Sequence, residues 1–132
     1  MRSRTVGALL CWLLFATGVA AQQTLQIASL PRDGRVLVTL RLAEAFDDAV
    51  RATIQSGLTT SFIYDIELKR SSTMWLDRTI DSTTLTATVR FDNLTRRYHL
   101  TRTQDGRIDR ADSTDREDEA RVWLTEFERL PL

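Results

Sequence analysis

Few ionisable side chains of this chain are spaced for catalysis. Asp65 and Glu67 lie two residues apart in a strand-like segment, so both carboxylates share one face, as a glycosidase could use them. The two residues alternate with apolar ones, however, which is typical of the solvent face of a half-buried strand. His99 is the only histidine, which excludes a metal site or catalytic pair built on two histidines. We therefore predict no catalytic residue and no enzymatic activity.

Motifs for cofactors and metals are also missing from the sequence. It contains no G-x-S-x-G nucleophile motif and no glycine-rich phosphate loop. The acidic stretch 105–119 invites a calcium interpretation, but its spacing departs from that of an EF-hand loop, and Arg107 and Arg110 interrupt it. Its last carboxylates suit the start of a helix, where the helix dipole favours negative charge. The sequence thus predicts no cofactor and no metal ligand.

Arginines are frequent in the second half of the chain. Between Arg90 and Arg110, six arginines accompany three aspartates. They could grip an anionic partner such as a lipid headgroup or a polysaccharide. The simpler interpretation, which we prefer, is that they occupy the outward positions of two strands.

A second cluster surrounds the tryptophan of an otherwise polar connection. Met74 and Trp75 lie there, between Arg70 and Arg78. A tryptophan in such a place either covers the end of the core or forms a contact hot spot, and the two arginines suit an amphipathic ligand or an acidic partner and could stack on the ring. These four residues are the predicted partner or ligand surface.

The N-terminus has the pattern of a secretory signal peptide. Arg2 and Arg4 precede an uncharged apolar run over 6–19, and small residues follow it up to Ala21. Spanning a membrane takes about 20 apolar residues, so the shorter run favours cleavage near Ala21 over retention as an anchor. Cys11 lies inside the run and not at the cut site, which argues against a lipoprotein. We predict export to the periplasm or the medium, with membrane association only if the segment is left uncleaved.

The rest of the chain, 22–132, has the size of a single domain. The chain has 18 basic and 18 acidic side chains, and loss of Arg2 and Arg4 with the signal leaves a net charge of −2. A near-neutral domain argues against nucleic acid or an anionic membrane surface as partner. Because Cys11 is the only cysteine, this domain has no disulfide, and its core must stabilise it unaided.

Period-two alternation predicts five strands. The first two surround a turn at Pro31–Gly34, and the others follow over 62–68, 85–91 and 98–101. A change of apolar parity predicts a bulge or break at 81–83, and 104–113 is expected to be a polar loop. These strands form consecutive hairpins and therefore an antiparallel sheet.

Two helices complete the predicted order β-β-α-β-β-β-α. Asp47 is expected to cap a short helix that Gly57 closes. Thr114–Glu117 has the spacing of a capping box, and the helix behind it presents Trp123 and Phe127 on one apolar face before it ends at 130–131. We predict an α+β fold, with an antiparallel sheet of about five strands and both helices, the short internal one and the C-terminal one, packed on one face.

Two segments resemble a family of exported bacterial proteins known as domain of unknown function 4390. The first is the strand end Leu68-x-Arg70 followed by Trp75 and Asp77, and the second is the hairpin that leads into Tyr98. The resemblance extends from about residue 36 to residue 127. It implies export and a single domain, and it implies no activity and no catalytic residue.

These observations lead to three functional expectations. The first is an exported, non-enzymatic binding domain of the bacterial cell envelope, whose partner is another envelope protein. The second is a carrier of a small apolar or lipid-like ligand, which an apolar cavity would favour. The third is an enzyme without a recognisable catalytic motif, which ionisable groups converging in a cleft would favour.

Overall fold

The computed structural model describes residues 24–70 and 78–132, which form seven strands and two helices. The α+β class and the antiparallel pairing are confirmed, but a single sheet of about five strands is wrong, because the strands form two sheets. The elements are β1 Thr24–Arg32, β2 Arg35–Ala43, α1 Asp48–Gln55, β3 Thr60–Arg70, β4 Arg78–Asp92, β5 Arg97–Gln104, β6 Arg107–Thr114, α2 Glu117–Thr125 and β7 Glu126–Pro131.

The strand order is β1-β2-β7 in one sheet and β3-β4-β5-β6 in the other. The predicted first turn forms at Asp33 and Gly34, which have φ values of 52° and 75°. Two successive positive φ angles are typical of the two-residue hairpin turns that match strand twist. The expected irregularity in β4 is a bulge at Ile80, one residue before the predicted stretch, because Leu68 pairs with Asp81 and Lys69 with Thr79.

The polar loop expected over 104–113 is wrong, because most of it is the strand β6. Asp105 and Gly106 have φ values of 49° and 77° and make a second tight hairpin turn, which aligns β6 with β5. β6 is the outer strand of its sheet, and its first six residues are exposed. It therefore has no alternation of apolar residues by which the sequence could reveal it.

The predicted ends of α1 are confirmed. The Asp47 carboxylate accepts a hydrogen bond from the Val50 backbone N–H at 2.8 Å, which satisfies one of the free donors of the first turn. Gly57 has a φ of 87° and donates its N–H to the Ile54 carbonyl at 2.9 Å. The helix buries Ile54 against the core.

The predicted C-terminal helix is shorter than expected at both ends. Its N-cap is Arg116, so the capping box is wrong: the Thr114 hydroxyl donates to Glu119 and accepts from the Arg116 N–H. The helix ends at Thr125, and the chain continues as β7, in which Phe127 lies opposite Leu40 of β2. Pairing with β2 satisfies the backbone of this segment, whereas a short helix gains little from another turn.

The core lies where the two sheets enclose α2. Leu124 of α2 is fully buried among Tyr64 and Leu85 of the four-stranded sheet and Leu40 of the three-stranded one. The Tyr64 hydroxyl donates to the Leu124 carbonyl at 2.5 Å, and burial raises the pKa of Tyr64 to about 12. The helices share the inner face of the four-stranded sheet with β2 and β7. The helix placement therefore differs in detail from the prediction, because two strands cover part of the same sheet face.

Candidate binding groove

An apolar groove of about 570 Å³ lies between the two sheets. Its floor is the inner face of β1 and β2, and its wall is the edge of β3. We call it the inter-sheet groove; its lining residues are Leu25, Ile27, Ser29, Val36, Val38, Leu40, Leu42, residues 63–68 and Leu132. Its volume lies within the roughly 300–1,000 Å³ that ligand pockets occupy.

The floor is apolar because the alternation of β1 and β2 is in register. Leu25 lies opposite Leu42, and Ile27 lies opposite Leu40, so the four side chains point to the same side of the sheet. Leu40 is buried by the core, whereas Leu25 is 46% exposed and Ile27 is 62% exposed. The four-stranded sheet therefore covers β2 but leaves the inner face of β1 open.

The wall of the groove has an acidic rim. Asp65 and Glu67 are both exposed, on the same face of β3 as the sequence predicted. The Asp65 carboxylate accepts a hydrogen bond from the Thr84 hydroxyl at 2.8 Å, and Glu67 pairs with Lys69 at 3.0 Å. Among the described residues, no cation forms an ion pair with Asp65.

A second cleft lies between α2 and the strands β5 and β6, and Arg102 is the more buried of the two arginines that line it. The Arg102 guanidinium donates to the carbonyls of Trp123 at 2.8 Å and Glu126 at 2.6 Å, where α2 ends. Its Cζ lies 4.4 Å from the centre of the Trp123 ring and 4.2 Å from that of Phe127. Burial lowers the pKa of Arg102, and neighbouring Arg110 lowers it further. Arg102 thus caps α2 from the inside, and the outward orientation predicted for the arginines is wrong for this one.

Two carboxylates of this cleft, Asp118 and Glu119, are engaged in local contacts. Arg116 binds Asp118 at 2.5 Å and Glu119 at 3.3 Å, and its hydrogen bond lowers the pKa of Asp118. Glu119 also accepts the Thr114 hydroxyl. No group of three or more His, Cys, Asp or Glu side chains in 24–70 and 78–132 is arranged to hold a metal ion. The contacts of this cleft fix the start and the end of α2.

The structure brings together only part of the predicted surface. Arg70 and Arg78 lie opposite each other at the end of the β3–β4 hairpin, and both are exposed. Met74 and Trp75 lie outside the described residues, as does the predicted signal segment 1–21. His99 is exposed on the outer face of β5, with its Nε2 3.8 Å from Asp92.

Sequence reasoning missed the inter-sheet groove. The alternation at Leu25 and Ile27 indicates a strand with one apolar face, but it does not tell whether a second sheet covers that face. β1 is an edge strand of its sheet, since among the described strands it pairs only with β2, and no residue of β1 itself signals that its inner face stays uncovered.

The fold and the groove define a class: a small α+β domain of two antiparallel sheets with an open apolar groove between them. The chain belongs to the family Domain of unknown function (DUF4390), whose model matches residues 21–132. No curated protein and no solved structure matches it. None of the helices in the described ranges has the length and apolar character needed to cross a membrane.

Proposed function

We propose that the protein is an exported, non-enzymatic binding domain of the bacterial cell envelope, and that it holds an apolar segment of another envelope protein in the inter-sheet groove. The observation that carries this proposal is the uncovered inner face of β1. All nine residues of β1 are exposed, and those that face the groove include Leu25 and Ile27.

The exposed apolar side chains of β1 form a continuous surface with the rest of the floor. Single exposed apolar residues are common on proteins, whereas contiguous apolar patches mark binding sites. Leu25 and Ile27 adjoin Leu40 and Leu42 through their cross-strand register. A partner segment that covers this floor would remove apolar surface from water at about 25 cal/mol for each Å².

Export rests on the N-terminal sequence. Arg2 and Arg4, the apolar run over 6–19 and the small residues up to Ala21 support secretion. The absence of cysteine from 22–132 leaves the domain indifferent to the redox state of its compartment.

Site-specific photo-crosslinking in the producing cell tests the proposal. A photoreactive amino acid at position 27 should join the full chain to an envelope protein, and peptide mapping should place the junction in an apolar segment of that protein. The same amino acid in place of Ile108, which is 72% exposed on β6 far from the groove, is the matched control.

A further variant keeps the photoreactive amino acid at position 27 and adds Leu25→Asp, which places a charge on the groove floor. This addition should abolish the crosslink. Equal crosslinking from positions 27 and 108, or a crosslink that survives Leu25→Asp, would contradict the proposal.

A carrier of a small apolar or lipid-like ligand is the second candidate. The groove volume of about 570 Å³ and its apolar floor favour it. Native mass spectrometry of the protein, purified from the envelope without detergent, should then show an added mass that Ile27→Asp removes and Ile108→Asp retains. A spectrum of the protein mass alone would contradict the carrier.

A further inference from the structure

The wall of the inter-sheet groove is an unpaired strand edge. β3 pairs with β4 along its whole length, from Thr60 to Arg70, and no other described strand pairs with its second edge. In an antiparallel strand, every second residue directs both its N–H and its C=O to the same side. About five of the 11 residues of β3 therefore direct their backbone N–H and C=O groups towards the groove.

The groove separates this edge from the other described strands that line it. No Cα atom of β3 lies within 8 Å of a Cα atom of β1 or β2, although all three strands line the groove. Neighbouring strands of a sheet lie about 4.8 Å apart. A further strand at that distance from β3 would lie in the groove, above Leu25 and Ile27.

We propose that the partner segment binds as an added β-strand on the free edge of β3, apolar on the face toward β1 and basic on the other. This inference rests on the proposed function and specifies how the groove is used. Alternate side chains of the added strand would cover the exposed parts of Leu25 and Ile27. The remaining side chains would lie beside Asp65 and Glu67, on the face of β3 that water reaches.

Charge selects the outer side chains of the partner. Glu67 is already paired with Lys69, whereas Asp65 makes no ion pair within the described ranges. An arginine or lysine of the added strand opposite Asp65 would complete a cross-strand pair of opposite charge. Acidic or uncharged segments of the same apolar pattern should bind less tightly.

The other open edge of the four-stranded sheet is different. β6 is exposed over its first six residues, and the cleft beside it is lined mainly by charged side chains, Arg110 and Asp112 of β6 among them. A strand added to β6 would gain backbone hydrogen bonds but would cover little apolar surface. The combination of a free edge with an uncovered apolar face distinguishes β3.

A synthetic peptide of about nine residues, the length of β1, tests this binding mode. It alternates valine with threonine and has one arginine among the threonines. Binding to the purified full chain is measured by fluorescence anisotropy. Two further peptides are methylated on backbone nitrogens. The first has N-methyl groups on its valine residues and the second has them on the residues between the valines. Each peptide therefore loses its hydrogen-bond donors along one edge and keeps them along the other.

We expect exactly one of the two methylated peptides to lose affinity, by about tenfold or more, because only one edge faces β3. Ile27→Asp should weaken binding of the parent peptide and Ile108→Asp should not. Asp65→Asn retains an acceptor for Thr84 and should lower the affinity by about two- to fivefold. A peptide with threonine in place of the arginine should not respond to Asp65→Asn.

The outcomes separate this inference from the proposed function. If both methylated peptides bind like the parent while Ile27→Asp weakens binding, strand addition is wrong and the groove proposal stands. If the parent peptide does not bind at millimolar concentration, or if Ile27→Asp and Ile108→Asp behave alike, both fail. A dimer in analytical ultracentrifugation that Ile27→Asp dissociates would identify a second copy as the occupant and overturn the inference.

Discussion

Phe127 joins the last strand to the core, and its replacement tests the packing of the whole fold. The ring is 2% exposed, its centroid lies 5.1 Å from that of Tyr64 in an edge-to-face arrangement, and the Arg102 Cζ lies 4.2 Å from the ring centre. Exposing such a side chain costs about 1.5–3 kcal/mol. Phe127→Ala also leaves a cavity of roughly 100 Å³, which at about 24 cal/mol for each Å³ adds about 2 kcal/mol. We therefore expect a loss of about 3–5 kcal/mol in the free energy of unfolding.

Urea unfolding followed by tryptophan fluorescence measures this loss. Two variants serve as controls: Phe127→Leu, which keeps most of the volume and should cost less than about 1.5 kcal/mol, and Leu94→Ala, at a turn residue that is 95% exposed, which should change stability by less than about 0.5 kcal/mol. Against a total stability of about 5–15 kcal/mol, Phe127→Ala leaves a marginal fold. A loss below about 1 kcal/mol for Phe127→Ala would refute the packing described for β7.

Three further predictions concern local contacts. Asp47→Ala removes the acceptor for the Val50 N–H and should cost about 1 kcal/mol in urea unfolding, whereas Asp47→Asn should cost less. Tyr64 keeps its proton in the folded chain up to a pKa of about 12 and loses it near pH 10 when unfolded, so the unfolding free energy should fall as pH rises from about 10 towards 12. Tyr64→Phe should remove that part of the pH dependence. Gly57→Ala places a side chain at a φ of 87° and 3.0 Å from Asn93, so its thermal midpoint should fall by several degrees.

The sequence predicted the elements whose signals are local. β2 and β3 alternate apolar and polar residues over most of their length, and Asp47 and Gly57 mark the ends of α1 by side-chain and backbone chemistry. β6 was missed because an exposed outer strand has no apolar period, although its Asp105–Gly106 turn signals a hairpin.

The end of α2 depends on a distant strand and could not be predicted from its own residues. Residues 120–127 have the spacing of an amphipathic helix, and Phe127 continues that pattern. Pairing of β7 with β2 brings Phe127 opposite Leu40, a contact between residues 87 positions apart. An apolar period of 3.6 residues shows that this segment has one apolar face. Backbone pairing with a distant strand decides whether its last residues form a helix or a strand.

The inter-sheet groove arises from the same limit of local reasoning. Alternation at Leu25 and Ile27 is typical of a strand that buries one face, yet Ile27 is 62% exposed. Which apolar strand a second sheet covers depends on where that sheet ends, and here it ends at β3. An apolar strand face that the sequence pattern marks for burial and the fold leaves exposed is an expected binding site. The free edge of β3 beside it supplies the backbone groups that a strand would need to complete the burial.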